Sequence, residues 1–472
     1  MTNYFFAIGL ILLAASCGSP GKSRQSHPNA VRISDSLRKA GSVYLTSDEK
    51  DNPVISWSEM DSGKKYFYAS FFDAPSGKFA PAINIPIESN VSVHEEGMPK
   101  VAIKDDGTII VVYETSAPTG RNIFAGAVYY LVSADKGKSW TKPVRVHADT
   151  SRENSHSFAS IARLSDGEIG ACWLGEPFDE KAGARPVKFA KTNRENKFEH
   201  ELIIDSAACQ CCRTAISSGT NGKIAVAYRD IISDSIRDIS VSFSTDIGKT
   251  FTPPSPFSDD GWAINGCPHN GPSVAVSDNA VYAAWFTGGR QKGVYYAEVN
   301  GNGAAVNKQL VSRHGRFVQL CPLADGGQVL AYDENIHEDN NTSSKIVLNK
   351  IEHGRVFGND IYTGKAVAGY PVIRSFAGNK IVVAWTSSES VYYALTTADA
   401  ISEEIQRPAI ADAPATPDFS GVKLAGSIDL VCKMPLSLSP ADTASFKGQV
   451  YGFCSASCKE RFVKNPTSFL KR

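Results

Sequence analysis

The chain has 472 residues, is 42% hydrophobic and 21% charged, and sets 49 Lys and Arg against 49 Asp and Glu. A net charge of zero gives no electrostatic basis for binding nucleic acid or an anionic membrane surface, and the length exceeds an ordinary single domain, although repeat folds reach it. Only 4 Met against 38 Gly, 24 Pro and 10% aromatics point to a β-rich fold with many turns.

The first residues, MTNYFFAIGLILLAASC, are an apolar run too short to span a bilayer comfortably, and they read as a secretory signal. Small residues immediately before Cys17 resemble a bacterial lipobox. That resemblance implies a signal over 1–16, lipidation of Cys17 and a polar tether over 17–40. A plain cleaved signal is the alternative. The lipoprotein reading places the protein in the bacterial cell envelope, periplasmic or at the cell surface, held to the membrane through its N-terminal lipid alone. Export also permits disulfides, so every cysteine cluster has two readings.

From 41 to 402 one pattern recurs: a short apolar strand, a turn, a strand ending in an aromatic, a loop, a third strand and a turn. The second strands read NPVISWSE, GTIIVVYET, GEIGACWLG, GKIAVAYRD, NAVYAAWFT, GQVLAYDE and NKIVVAWTS. Their β-branched and alternating residues have strand rather than helix periodicity. Two third strands are followed by S-x-D-x-G-x-x-W/F, as Ser133, Asp135, Gly137 and Trp140, and as Ser244, Asp246, Gly248 and Phe251. Asp can accept backbone N–H bonds in a tight hairpin, Gly supplies a positive φ, and the aromatic tucks under the neighbouring sheet, so these residues are structural. They resemble the Asp boxes of sialidase-type β-propellers, which implies an all-β propeller of six or seven blades. Seven units are countable, the last without an outer strand, and VRISDS near the N-terminus is placed to supply it and close the ring.

A Pro- and Ala-rich linker over 403–426 separates this region from 427–472. There Asp429, Cys432 and Met434 are followed by Gly448, Tyr451, Phe453, Cys454, Cys458 and Phe462. The pattern resembles the YHS domain, a small heavy-metal-associated module related to TRASH domains, which implies a compact α+β unit. Three thiols and a thioether are soft ligands suited to copper or zinc. Cys454 and Cys458, four apart at a helix start, can face one site that Cys432 and Met434 close. One disulfide with a spare cysteine is the competing reading.

In a propeller the first strand of each blade lies nearest the axis, and the loop entering it opens at one pole. Within about eight residues upstream of successive first strands stand His94-Glu95-Glu96, His156, Cys209, Cys211, Cys212, Cys267 with His269, and His314. A ring of His, Cys and Glu there has the donors for Cu or Zn. A disulfide from Cys211 or Cys212 to Cys267 would equally staple two blades. Cys172 and Cys321 sit inside strands and read as small buried hydrophobes.

The sialidase resemblance also implies an arginine triad, whose first member lies in an F/Y-R-I-P motif ahead of the first Asp box. No such motif is present, and no Arg occurs between Arg38 and Arg121. Arg213, Arg229, Arg237 and Arg290, with Tyr228, are the groups placed to line the pole. Fold alone carries no activity, and the expectation is a protein that is not an enzyme. Its expected function is extracytoplasmic binding or delivery of a soft metal, copper first. The Cys/His pole would be a second site or a docking surface for another envelope protein. An exo-acting glycoside hydrolase and a non-enzymatic interaction scaffold are the alternatives.

Overall fold

A computed structural model describes residues 30–178, 184–233, 235–264, 266–277, 280–338, 341–362, 367–406, 422–431, 436, 440, 442–453 and 456–470. Cys17, Cys432, Met434 and Cys454 lie outside the described residues. Seven antiparallel sheets of four or five strands stand around an axis. Their inner strands are Lys39–Ser47, Lys100–Ile103, Ser157–Arg163, Ala215–Ser218, Ser273–Val276, Gly315–Pro322 and Ala368–Phe376, and each touches the next around a closed ring. We number the blades 1 to 7 in that order. The fold is therefore a seven-bladed β-propeller. Val31–Arg32 pairs with Ser390–Thr397, Val31 opposite Tyr393, so the N-terminal segment completes blade 7.

The second strands show why the sequence makes blades. Ile109–Glu114, Ile169–Leu174 and Ile224–Arg229 are buried at every residue, as strands covered on both faces by neighbouring sheets must be. One large aromatic recurs at the same place in all seven: Trp57, Tyr113, Trp173, Tyr228, Trp285, Tyr332 and Trp385, none more than 2% exposed. These rings form the repeating inter-blade core, each contributing about 1.5–3 kcal/mol through burial.

The Asp boxes close their turns with side chains. Ser133 Oγ donates to Asp135 Oδ1 at 2.8 Å and accepts the Gly137 N–H at 2.8 Å, while Ser139 N–H donates to Asp135 at 2.9 Å. Hydrogen bonds from Ser139 and Ser133 hold the Asp135 carboxyl at about 2. Ser244, Asp246 and Gly248 repeat this arrangement. Strand alternation puts both boxes at the end of the propeller opposite the loops that enter the inner strands.

Four inner strands carry a bulge at that entering end. The register shifts at Gly41/Tyr44, Ser157/Ser160, Arg316/Gln319 and Gly369/Val372. Ser42, Phe158, Phe317 and Tyr370 each take a positive φ there, between 52° and 57°. Bulges bend a strand and re-aim its side chains, and non-glycine residues in this region are strained. Tyr370 and Phe317 meet with ring centroids 4.1 Å apart, and the Ser42 N–H turns toward Glu95. Blades 2, 4 and 5 lack the bulge. They have four-residue inner strands instead, fed by the loops that carry Glu96, Cys212 and Cys267.

In the C-terminal region, Asp442–Phe446 and Gln449–Phe453 form a hairpin turned by Lys447 and Gly448, both at positive φ. Helices Ala456–Lys464 and Pro466–Leu470 follow. Phe462 packs on Tyr451 and Phe453, each 5.1 Å away between centroids. This segment does not stand apart from the propeller: Leu436, Tyr451, Phe453, Cys458 and Phe462 share one buried cluster with Cys209, Cys211, Cys212 and Cys267. Among the described residues no helix is long and apolar enough to cross a membrane.

Candidate metal centre

Cys209 ends the outer strand of blade 3, opposite Ala184, while Cys211 and Cys212 occupy the turn that leads into blade 4. Cys267 and His269 lie on the loop into blade 5. The fold brings these two loops together. Cys209, Cys211 and Cys212 form one group whose Sγ atoms all lie within 4.8 Å of one another, and Cys211, Cys267 and His269 form a second to the same limit. The Cys209 and Cys211 sulfurs are 3.9 Å apart, and none of Cys209, Cys211 and Cys212 is in a disulfide. Bonds of about 2.3 Å put the donors of a trigonal thiolate site about 4.0 Å apart, so the thiols need only small movements to share an ion. The reading in which Cys211 or Cys212 bridges to Cys267 does not hold in this structure.

A buried ion pair aligns the two loops. Arg213 Nη1 pairs with Glu96 Oε1, the two side chains being 6% and 5% exposed, and Arg213 Nη2 donates to Val318 O at 3.1 Å. The other Glu96 oxygen accepts the Gly271 N–H at 2.9 Å. Glu96 thus joins the loops of blades 2, 4 and 5. Gly271 is required there, since a Cβ would stand 2.4 Å from Arg213 Cγ and from its carbonyl oxygen. Beneath, Arg229 Nη2 donates to Asn270 O at 2.9 Å and Phe286 O at 2.8 Å.

The electrostatics favour one thiolate. Burial pushes the Cys212 thiol up, yet hydrogen bonds from Cys209 and Cys211, the Arg229 charge and the Asn270 N–H together hold it well below its ordinary value. Hydrogen bonds to Cys211 and Cys212, then burial, push Cys209 well up, and burial does the same to Cys211. Burial lowers His269, which keeps its imidazole neutral and fit to ligate. A cluster of soft thiols, one thiolate and a neutral imidazole suits Cu(I) or Zn(II), and binding would release protons.

Several residues expected in the ring do not join it. His156 is buried with Nε2 2.9 Å from Asp149, accepts from Trp173 Nε1 at 3.3 Å and stacks on His147 at 3.7 Å between centroids. Both its nitrogens are committed within blades 2 and 3. His314 lies on the loop into blade 6 but is exposed. Glu96 spends both oxygens on Arg213 and Gly271, and Glu95 accepts the Ser42 N–H at 3.0 Å with each oxygen. His94 remains near the mouth, 3.9 Å from Glu114 and edge-to-face with Phe158. Cys172 and Cys321 are buried within their blades.

Among the candidate carboxylate-binding arginines, Arg213 and Arg229 are buried on protein partners, Arg290 is exposed beside Asp259, and Arg237 has Nε and Nη1 buried without a hydrogen-bond partner. Tyr228 donates to Asp205 at 2.7 Å. Sequence reasoning named the sulfur and imidazole donors but missed that Glu96, Arg213 and Gly271 fasten their loops. The adjacency of Arg213 to Cys212 was the available signal.

Residues 80–277 match the BNR repeat-like domain family. No curated protein matches the chain. Among solved structures, the chain is similar to the NanB sialidase of Streptococcus pneumoniae at 8% identity and a TM-score of 0.47, covering 79% of this chain and 70% of that one. It is similar to a PL25 ulvan lyase at 12% identity and 0.49, covering 80% and 98%. The intramolecular trans-sialidase of Ruminococcus gnavus gives 9% and 0.48, covering 82% and 100%. None of these carries chemistry over to this chain.

Proposed function

We propose that the protein binds a soft transition-metal ion outside the cytoplasm, Cu(I) first and Zn(II) second, at the cysteine pole of its propeller. The observation that carries this reading is the convergence of Cys211, Cys267 and His269 from two loops, with Cys209 and Cys212 alongside and no disulfide among Cys209, Cys211 and Cys212. Four thiols and an imidazole outnumber the hard donors available there, which favours a thiophilic ion. The buried Arg213–Glu96 pair fixes the loops before any ion arrives. The C-terminal segment, with Cys432, Met434, Cys454 and Cys458, supplies a second thiol set, and its resemblance to the YHS domain supports metal handling there. Lipidation at Cys17 would hold both sets at the envelope membrane.

The test is competition between the full chain and a Cu(I) chelator under anaerobic, reducing conditions. Cys211→Ser combined with Cys267→Ser should lose one tightly bound equivalent relative to wild type. Equal stoichiometry and affinity in the two proteins would exclude the pole as the site. A glycoside hydrolase remains the fold-level alternative. The engagement of Glu95, Glu96, Arg213 and Arg229 with protein groups speaks against it.

A further inference from the structure

The pole cysteines are between 1% and 6% exposed, so an ion needs a path to them. A cavity of about 490 Å³ lies between the propeller mouth and the C-terminal segment. Met60 and His94 line it from the propeller, His269 stands where it meets the thiol cluster, and Cys458 and Arg461 line it from the C-terminal helix. Met60 is 41% exposed and the His94 side chain 41%, so soft donors reach from solvent inward. Cys458, 1% exposed, belongs to the same buried cluster as Cys209, Cys211, Cys212 and Cys267. The ring of His269 also feels the charges of Arg461 and Asp429, both contributed by the C-terminal segment.

The geometry points to an intramolecular metal relay: the cavity is the port, and Cys458 exchanges Cu(I) with the pole through His269 and Cys267. This rests on the proposed metal-binding function and adds a route to it. Each step is a ligand exchange. A new metal–sulfur or metal–nitrogen bond forms as an old one breaks, the proton of an incoming thiol passes to the departing thiolate, and copper stays Cu(I) throughout. Soft ligands gathered in one buried cluster allow such exchange without release of the ion to water. The C-terminal segment is then both cap and carrier.

The test follows loading of the reduced full chain with Cu(I) delivered from a weak chelator, read by mass spectrometry as protection of Cys211 and Cys267 from alkylation during a brief urea pulse, because in native buffer burial alone shields the apo thiols. Cys458→Ser should slow the onset of protection by roughly tenfold. An unchanged or faster onset would overturn the relay. If the apo form of that variant exposes the pole thiols to alkylation in native buffer, without the pulse, the cap has come away. Met60→Leu with His94→Gln, on the propeller side alone, then carries the test, with slowing again expected and an unchanged rate again decisive against it. Absence of protection in wild type at any time would instead remove the proposed function itself, so the two failures are distinguishable.

Discussion

Arg213→Met would break the ion pair that fastens three loops at the pole. The Arg213 and Glu96 side chains are 6% and 5% exposed, so the carboxylate left behind has little access to water. Removing one partner of such a pair costs about 3–5 kcal/mol, because the remaining charge is buried without compensation. Burial already pushes the Glu96 carboxyl up, and the Arg213 charge is the largest influence opposing it. In the variant the Glu96 carboxyl should therefore rise further. Adding Glu96→Gln removes the stranded charge while its amide oxygen still accepts the Gly271 N–H. The double variant should recover about 2 kcal/mol relative to the sum of the singles. Urea unfolding of the four proteins at pH 7.5 measures this cycle. A single-variant loss below about 1 kcal/mol, or strict additivity, would refute a buried, coupled pair.

Three further outcomes are expected. Burial pushes Glu95 up from 4.5 to about 7, against the Ser42 N–H and Thr386. Its folded value lies above its unfolded one, so its stabilising contribution is complete below about pH 4.5 and is lost as pH rises through 7. At most about 3 kcal/mol is involved, less because the side chain is only half-buried. Glu95→Gln should flatten the difference in urea midpoint between pH 5 and pH 8, and an undiminished slope would contradict the assignment. Gly271→Ala forces Arg213 aside and should weaken Cu(I) binding by roughly 10–100-fold in chelator competition, with affinity equal to wild type as the contrary result. Trp285→Ala empties a fully buried inter-blade position and leaves Asp260 without its 2.7 Å indole bond. It should cost about 3–5 kcal/mol by chemical denaturation, and a loss under about 1 kcal/mol would count against the repeating aromatic core.

The propeller was legible because its signals are local and repeated. A blade needs two-faced apolar strands, a positive-φ turn and an inter-blade aromatic, and each left its mark seven times or nearly so, down to Val31 closing the ring. The donors at the pole were legible as residue types at one phase of the repeat. Their grouping was not, because it depends on side-chain direction. His156 stands at the expected phase, yet Asp149 and Trp173 hold its ring inside the blades. Glu96 had the composition of a ligand and proved to be a fastener for Arg213 and Gly271. The burial of Cys458 in one cluster with the pole cysteines joins distant parts of the chain across a composition break, and no periodicity reports it.

Anomalous diffraction at the copper edge, from reduced crystals of the full chain loaded with Cu(I), tests the central claim most directly. The account predicts a peak within bonding distance of Cys211 Sγ, Cys267 Sγ and a ring nitrogen of His269. An S–S bond from Cys211 or Cys212 to Cys267, with no copper peak at the pole, would contradict it.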